Sequence, residues 1–346
     1  MADRRSLSGP NGLADGLRCN PKGESMKLKY LVAAVGLLAS VSVLLPSAGA
    51  VFPGRNGRIT FMRTDHAGLW QIWVGSAHLR NQTKLTDQPA NSGWPVWAPG
   101  GRRIAFDSDR ADRNPNDENV INDIFTMRPD GNGVRNLTHS RGFSADANYS
   151  PSGKRIVFEA DRGDYPDKMG IYVMRKDGTH VRRITNTPDR AKQDVFPRFS
   201  PNGKWLVFSR LLGFADDAPA ALFKVRRDGT HLQRLTSFSM RAGDADWSPD
   251  GKRLVFEGNP RLQFGEIYVM DADGRHRKNI TRNNGHGGAR DPVWSPNGKK
   301  ILFGQGQVVH HVFKDGLATM RPDGSKRAFL SKNPKEEHHE DWESIP

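Results

Sequence analysis

An all-β fold, a six-bladed β-propeller of four-stranded antiparallel blades whose first blade is closed by the C-terminal strand, is predicted by three observations on this 346-residue sequence. A phrase recurs about every fifty residues: an aromatic residue, Ser/Ala-Pro, a Gly-terminated turn, a basic residue, and an apolar run ending in Phe. Each copy carries four short strand-like runs, which is the pattern of a propeller blade. The composition, with 36 Gly and 22 Pro, suits many tight turns rather than helices.

The four runs follow in a fixed order. Strand A is a short piece ending at the aromatic, at Trp97, Tyr149, Phe199, Trp247, Trp294 and Trp342. A Ser-Pro-x-Gly turn then leads to strand B, as in RRIAF from Arg102, KRIVF from Lys154, KWLVF from Lys204, KRLVF from Lys252 and KKILF from Lys299. Strand C alternates, as in GIYVM from Gly170 and EIYVM from Glu266. Asp-Gly turns at Asp130, Asp177, Asp228, Asp273 and Asp323 lead to strand D, which usually ends in Leu-Thr or Ile-Thr. Proline presets the φ of a type I turn, Asp or Asn bonds back to the backbone, and Gly accepts the positive φ that closes the hairpin. The first repeat starts at strand B, NGRITF from Asn56, while Glu340 to Pro346 supply an orphan strand A at the other end. Joining the two gives six complete blades and hides two sheet edges.

These repeats resemble the WD40-like units of the TolB-type propeller family, through WSPDG at Trp247, WSPNG at Trp294, and IYVM-x-x-DG at Ile171 and Ile267. The resemblance runs from about residue 56 to 342. It implies a propeller that binds peptide partners over its mouth in the periplasm. TolB itself has an added N-terminal α/β domain, whereas here an apolar segment leads directly into the first repeat.

That apolar segment, Met26 to Ala50, places Lys27 and Lys29 ahead of an apolar run and ends in Ala48-Gly49-Ala50, the form of a secretory signal peptide. Residues 1–25 are polar and read as an extension outside the fold, and residues 51–346 as the propeller. The expected product is exported to the periplasm or cell exterior, monomeric, and without stable membrane insertion. The one cysteine, Cys19, lies upstream of the cleavage pattern, so the mature part has no disulfide or thiolate chemistry. The whole chain carries +14; its first fifty residues hold six Lys/Arg and three Asp/Glu, leaving +11 beyond them.

In a ring of such blades the A–B and C–D turns share one face and the longer B–C and D–A connections the other. The tight-turn face gathers basic pairs, among them Lys252-Arg253, Arg277-Lys278, Lys299-Lys300 and Lys326-Arg327. An anionic cell-surface polymer is the partner such a face would suit. The loop face gathers acids: Asp107, Asp109, Asp112, Asp117, Glu118, Asp161, Asp164, Asp167, Asp216, Asp217, Glu336, Glu337 and Glu340. Irregular loops on a rigid scaffold are where binding usually resides.

Strand A brings Asp146, Asp244, Asp246, Asp291 and Asp341 toward the channel mouth, with Arg198, Arg290 and His339 nearby. Converging carboxylates suit a peptide ammonium group or a divalent cation such as calcium; Asp residues in this place also bond neighbouring backbone. No catalytic residue or obligate cofactor is expected. There is no G-x-S-x-G elbow and no phosphate-cradling loop, and export argues against nucleic acid. The function expected is a non-catalytic binding or scaffold propeller for a peptide or protein segment. The rival is a carbohydrate-active lyase or hydrolase using mouth carboxylates and the pairs His310-His311 and His338-His339. Replacing Gly251 or Gly298 by valine is expected to strain its hairpin by about 1–3 kcal/mol, read as a lower midpoint of thermal unfolding.

Overall fold

The computed structural model describes residues 54–345 apart from 113–120, 141, 162–168, 189–192, 214, 216–217, 262–263, 284–286, 310–311 and 332–336. The expected extension and signal segment, the His310-His311 pair, and Asp117, Glu118, Asp164, Asp167, Asp216, Asp217 and Glu336 lie outside the described residues. The described strands form six four-stranded antiparallel sheets. Blade 1 takes its inner strand from the tail, Glu337–Ile345, followed outward by Arg55–Thr64, Trp70–Gly75 and Thr83–Lys84. The inner strands of blades 2 to 6 are Ser92–Trp97, Ser144–Tyr149, Gln193–Phe199, Ala242–Trp247 and Ala289–Trp294. Among the described residues no helix is long and apolar enough to cross a membrane.

The repeated phrase is explained by what each part touches. All six aromatics are buried, and the Phe that ends each second strand (Phe61, Phe106, Phe158, Phe208, Phe256, Phe303) is fully so. They pack into apolar clusters that each straddle two neighbouring blades, such as Val255, Ile267 and Val269 of blade 5 with Trp294, Ile301 and Phe303 of blade 6. Burying one such side chain contributes about 1.5–3 kcal/mol. The Thr of the Leu-Thr motif serves the backbone. Its hydroxyl accepts the N–H of a third-strand residue, as in Ile171 N to Thr185 Oγ1 at 3.0 Å and Leu222 N to Thr236 Oγ1 at 2.9 Å. The outer strands are only two residues long, so this bond extends a ladder that would otherwise stop.

The turn glycines also lock blade to blade. Gly298 (φ +67°) sits over the ring of Pro249 from the preceding turn, and Gly324 (φ +87°) lies so close to the Ile280 carbonyl of the preceding blade that a Cβ would collide with it. At Gly324 a side chain is therefore excluded by crowding as well as by the positive φ.

Blade 1 closes differently because its two inner strands are the last and the first of the described strands, with no turn joining them. In blades 3 to 6 the Ser after the aromatic accepts an N–H five residues on, as in Lys300 N to Ser295 Oγ at 2.9 Å. In blade 1 that Ser is replaced by Glu343, which reaches across the gap to accept the Arg58 backbone N–H at 3.0 Å and the Nε and Nη2 of its guanidinium at 2.8 Å each. The same guanidinium lies 4.7 Å over the Trp97 ring of blade 2. The apolar cluster that closes the ring joins Ile59, Phe61 and Leu79 to Val293, Leu302 and Leu317 of blade 6, with Trp342 between them. Removing residues 340–346 is expected to lower the unfolding free energy by about 3–5 kcal/mol or more, since loss of a buried Trp alone costs that much. Urea unfolding of the truncated chain tests this, and a midpoint equal to the parent's would contradict closure by the tail.

Candidate functional site at the propeller axis

Every inner strand carries a bulge in the same place. The pairing register slips between Gly93 and Val96, Ala145 and Asn148, Val195 and Arg198, Gly243 and Asp246, and Arg290 and Val293, with the matching slip in blade 1 opposite Thr60 and Met62. At each bulge one residue adopts a left-handed backbone: Trp94, Asp146, Phe196, Asp244, Asp291 and His339, with φ between 45° and 60°. Each stands three positions before its blade's buried aromatic, so the six form one tier of the ring. Asp tolerates this conformation, whereas Trp and Phe do so at a cost, and such strain persists only where surroundings enforce it.

At Asp146, Phe196 and Asp291 the enforcement comes from acids on the second strands. Directly after the buried Phe stand Asp107, Glu159 and Glu257. Glu159 accepts the N–H of Phe196 in the next blade at 2.8 Å, and Asp107 and Glu257 accept from the backbones of Asp146 and Asp291. A second tier lies one residue before the aromatics. Asp341 accepts the Trp97 N–H at 2.6 Å, Asn148 that of Phe199 at 3.1 Å, and Asp246 that of Trp294 at 2.8 Å. Two of the expected mouth acids, Asp246 and Asp341, are thus interblade latches.

The remaining expected residues converge on the axis. Asp146, Arg198, Asp244, Asp291 and His339 are buried, and Arg290 is half-buried. Arg198 donates to the Pro197 carbonyl at 3.0 Å and is close enough to Asp146, Asp246, Asp291 and Asp341 to lower the proton affinity of each. Arg290 Nε and His339 Nδ1 approach one Asp291 oxygen at 3.6 and 3.5 Å, and the imidazole lies against Trp94 with ring centroids 5.1 Å apart. Asp244, Glu257 and Asp291 each offer an oxygen within 4.8 Å of the others, a spacing that fits a divalent cation's oxygen shell. This cluster of oxygens is the part of the site best suited to positive charge.

Burial dominates the electrostatics. Desolvation pushes Asp246 and Glu159 up to about 8 and Asp291 up to about 6. Asp146, Glu257, Glu340 and Asp341 are held well above the carboxylate range, again chiefly by burial. Four acids expected on the loop surface are not displayed there. Asp107, Asp161, Glu337 and Glu340 are buried. Asp161 accepts the Phe143 N–H, and Glu337 is paired with Arg63. The residues missed from sequence are Trp94, Phe196, Glu159, Glu257 and Asn148; counting back three and one from each aromatic locates three of them.

No family model matches the chain. An uncharacterized protein of Agrobacterium fabrum is 31% identical over 182 residues, covering 50% of this chain and 57% of that protein. The TolB homolog of Chlorobium chlorochromatii is 27% identical over 178 residues, covering 49% of this chain and 36% of that protein. The chain therefore matches little more than half, or about a third, of the length of these curated relatives. Among solved structures, TolB from Acinetobacter baumannii superposes with a TM-score of 0.66 at 20% identity, covering 83% of this chain and 66% of that one.

An acid whose pKa is raised by folding holds its proton more tightly in the folded state. Its contribution to stability is full below the unfolded value and is lost as pH rises through the folded one. For Asp246 that window runs from the ordinary 3.8 to about 8. Asp246→Asn keeps an oxygen for the Trp294 N–H but cannot ionise. It is expected to unfold at nearly the parent's urea concentration near pH 4 and at a higher one at pH 8.5. A gap that does not widen with pH would refute the assignment.

Proposed function

Taking as premise that this chain is a TolB-like six-bladed propeller, we propose that it is an extracytoplasmic binding or scaffold module engaging a peptide or protein segment over the loop-face end of its axis. The observation that carries this reading is the ring of six bulged residues. Backbone strain at Trp94 and Phe196, beside three aspartates and a histidine, is concentrated at one level of the axis. Strain that the surrounding structure enforces clusters at sites that meet a ligand. A cationic or ammonium-bearing segment would supply the countercharge that these desolvated carboxyls need in order to ionise, which Arg198 and Arg290 supply only in part. Trp94 and Arg290 are the half-buried members of this set, and their residue types are the usual anchors of a binding surface.

A divalent cation at Asp244, Glu257 and Asp291 is a second reading, favoured by their oxygen spacing. There the carboxylates would be the ligands, and Arg290 and His339 would have to give way from Asp291. Calcium titration by calorimetry, compared between the parent and Asp291→Asn, separates this reading from the peptide one.

The principal test is selection of binding peptides from a random library against the full chain, followed by variants. Trp94→Ala and Arg290→Ala are each expected to weaken the selected peptides by about tenfold or more. Lys299→Gln on the opposite face should leave them unchanged. Peptides insensitive to both loop-face changes would overturn the reading. Turnover of an acidic oligosaccharide that is abolished by His339→Ala would replace it with the enzymatic one.

A further inference from the structure

The face opposite the loops holds a groove between blades 5 and 6. It has a volume of about 890 Å³. Its floor is apolar, with Met270 and Met320 almost wholly covered, so the groups an occupant can reach are those of the rim. Four lysines stand on that rim: Lys278, Lys299 and Lys326 are exposed and Lys300 is half-buried. Among the described residues none of their ammonium groups makes an ion pair or a hydrogen bond, whereas the groove's two acids are engaged locally. Asp271 meets His276 at 2.6 Å, and Asp323 accepts the Ser325 N–H of its own turn at 2.9 Å. A second depression of about 510 Å³ shares the Arg253 wall and continues among the first-turn residues toward the axis. The second adds no lysine and holds one acid, Asp250, so the basic groups are those of the larger groove, which is open rather than a closed cup.

Two features narrow the occupant. Lysines bind phosphate as compact point charges, and Arg253 and Arg321, which also line the groove, offer forks that match phosphate oxygens. The large groove is lined by no Phe, Tyr or Trp, and the nearest indole, Trp294, lies buried beneath the Arg253 guanidinium at 4.8 Å. Nucleic-acid bases bound without sequence preference usually need an aromatic platform. A flexible aliphatic chain carrying phosphates does not. Burial of Asp107, Asp146, Glu159, Asp244, Asp246, Asp291, Glu340 and Asp341 near the axis also withdraws negative charge from the surface, so the excess of Lys and Arg is expressed outside.

We infer that the groove between blades 5 and 6 is a docking track for a linear polyol phosphate, an anionic polymer laid along Lys278, Lys299, Lys300 and Lys326. This specifies the polymer partner expected of the basic face and is independent of the loop-face ligand, so either proposal can fail without the other. The test titrates the full chain with a poly(glycerol phosphate) oligomer, a single-stranded DNA and an oligogalacturonate of matched charge. The phosphate polyol is expected to bind most tightly, with affinity falling as salt rises. Changing all four lysines to glutamine should weaken it at least about tenfold near 50 mM salt and flatten the logarithmic salt slope by about 3. A charge-matched control, Arg102, Arg135, Lys154 and Lys204 to glutamine, should lose less than about threefold. Equal losses in the two quadruple variants would reduce the effect to net charge and overturn the track. Tighter binding of DNA or oligogalacturonate, or no binding at all, would overturn the occupant.

Discussion

No blade of this protein can bury its own apolar faces; each depends on the blade beside it. The buried aromatic, the Phe of the second strand and the alternating third strand pack across blade boundaries, and the apolar clusters straddle those boundaries. Polar contacts follow the same direction. Asp341, Asn148 and Asp246 each accept a backbone N–H from the following blade, and turn glycines seat on the preceding one. A ring built this way has no spare interface, and the blade that joins the first and last described strands carries its own bidentate ion pair between Arg58 and Glu343.

The same dependence explains the chemistry of the axis. Converging inner strands leave little space at the centre, so the polar residues there are desolvated whether or not they serve a ligand. Their carboxyls are accordingly driven up in pKa, and two of them spend their hydrogen-bonding capacity on backbone. What distinguishes the bulged tier from this general crowding is backbone strain at large aromatic residues, for which Gly or Asn would be the undemanding choice.

Blade number, strand order and the joining of tail to head were legible because turn chemistry repeats in nearly identical words, as in WSPDG and WSPNG. The candidate site was legible only in part. Asp146, Asp244, Asp291 and His339 stand out by residue type, yet Trp94 and Phe196 occupy equivalent positions without any such signal, because aromatics in a strand read as core. Burial was the harder matter. A sequence shows that Glu159 and Glu257 follow a strand, but not that the strand end points inward at a neighbour's bulge, since that depends on how six sheets are placed around one axis.

Arg58 and Glu343 are 285 residues apart in the chain, and the innermost strand of the first blade is synthesised after every other described strand. Assembly therefore cannot proceed simply from the amino end. The early strands must wait with an open flank until the final segment emerges, and contacts this distant in sequence are slow to form.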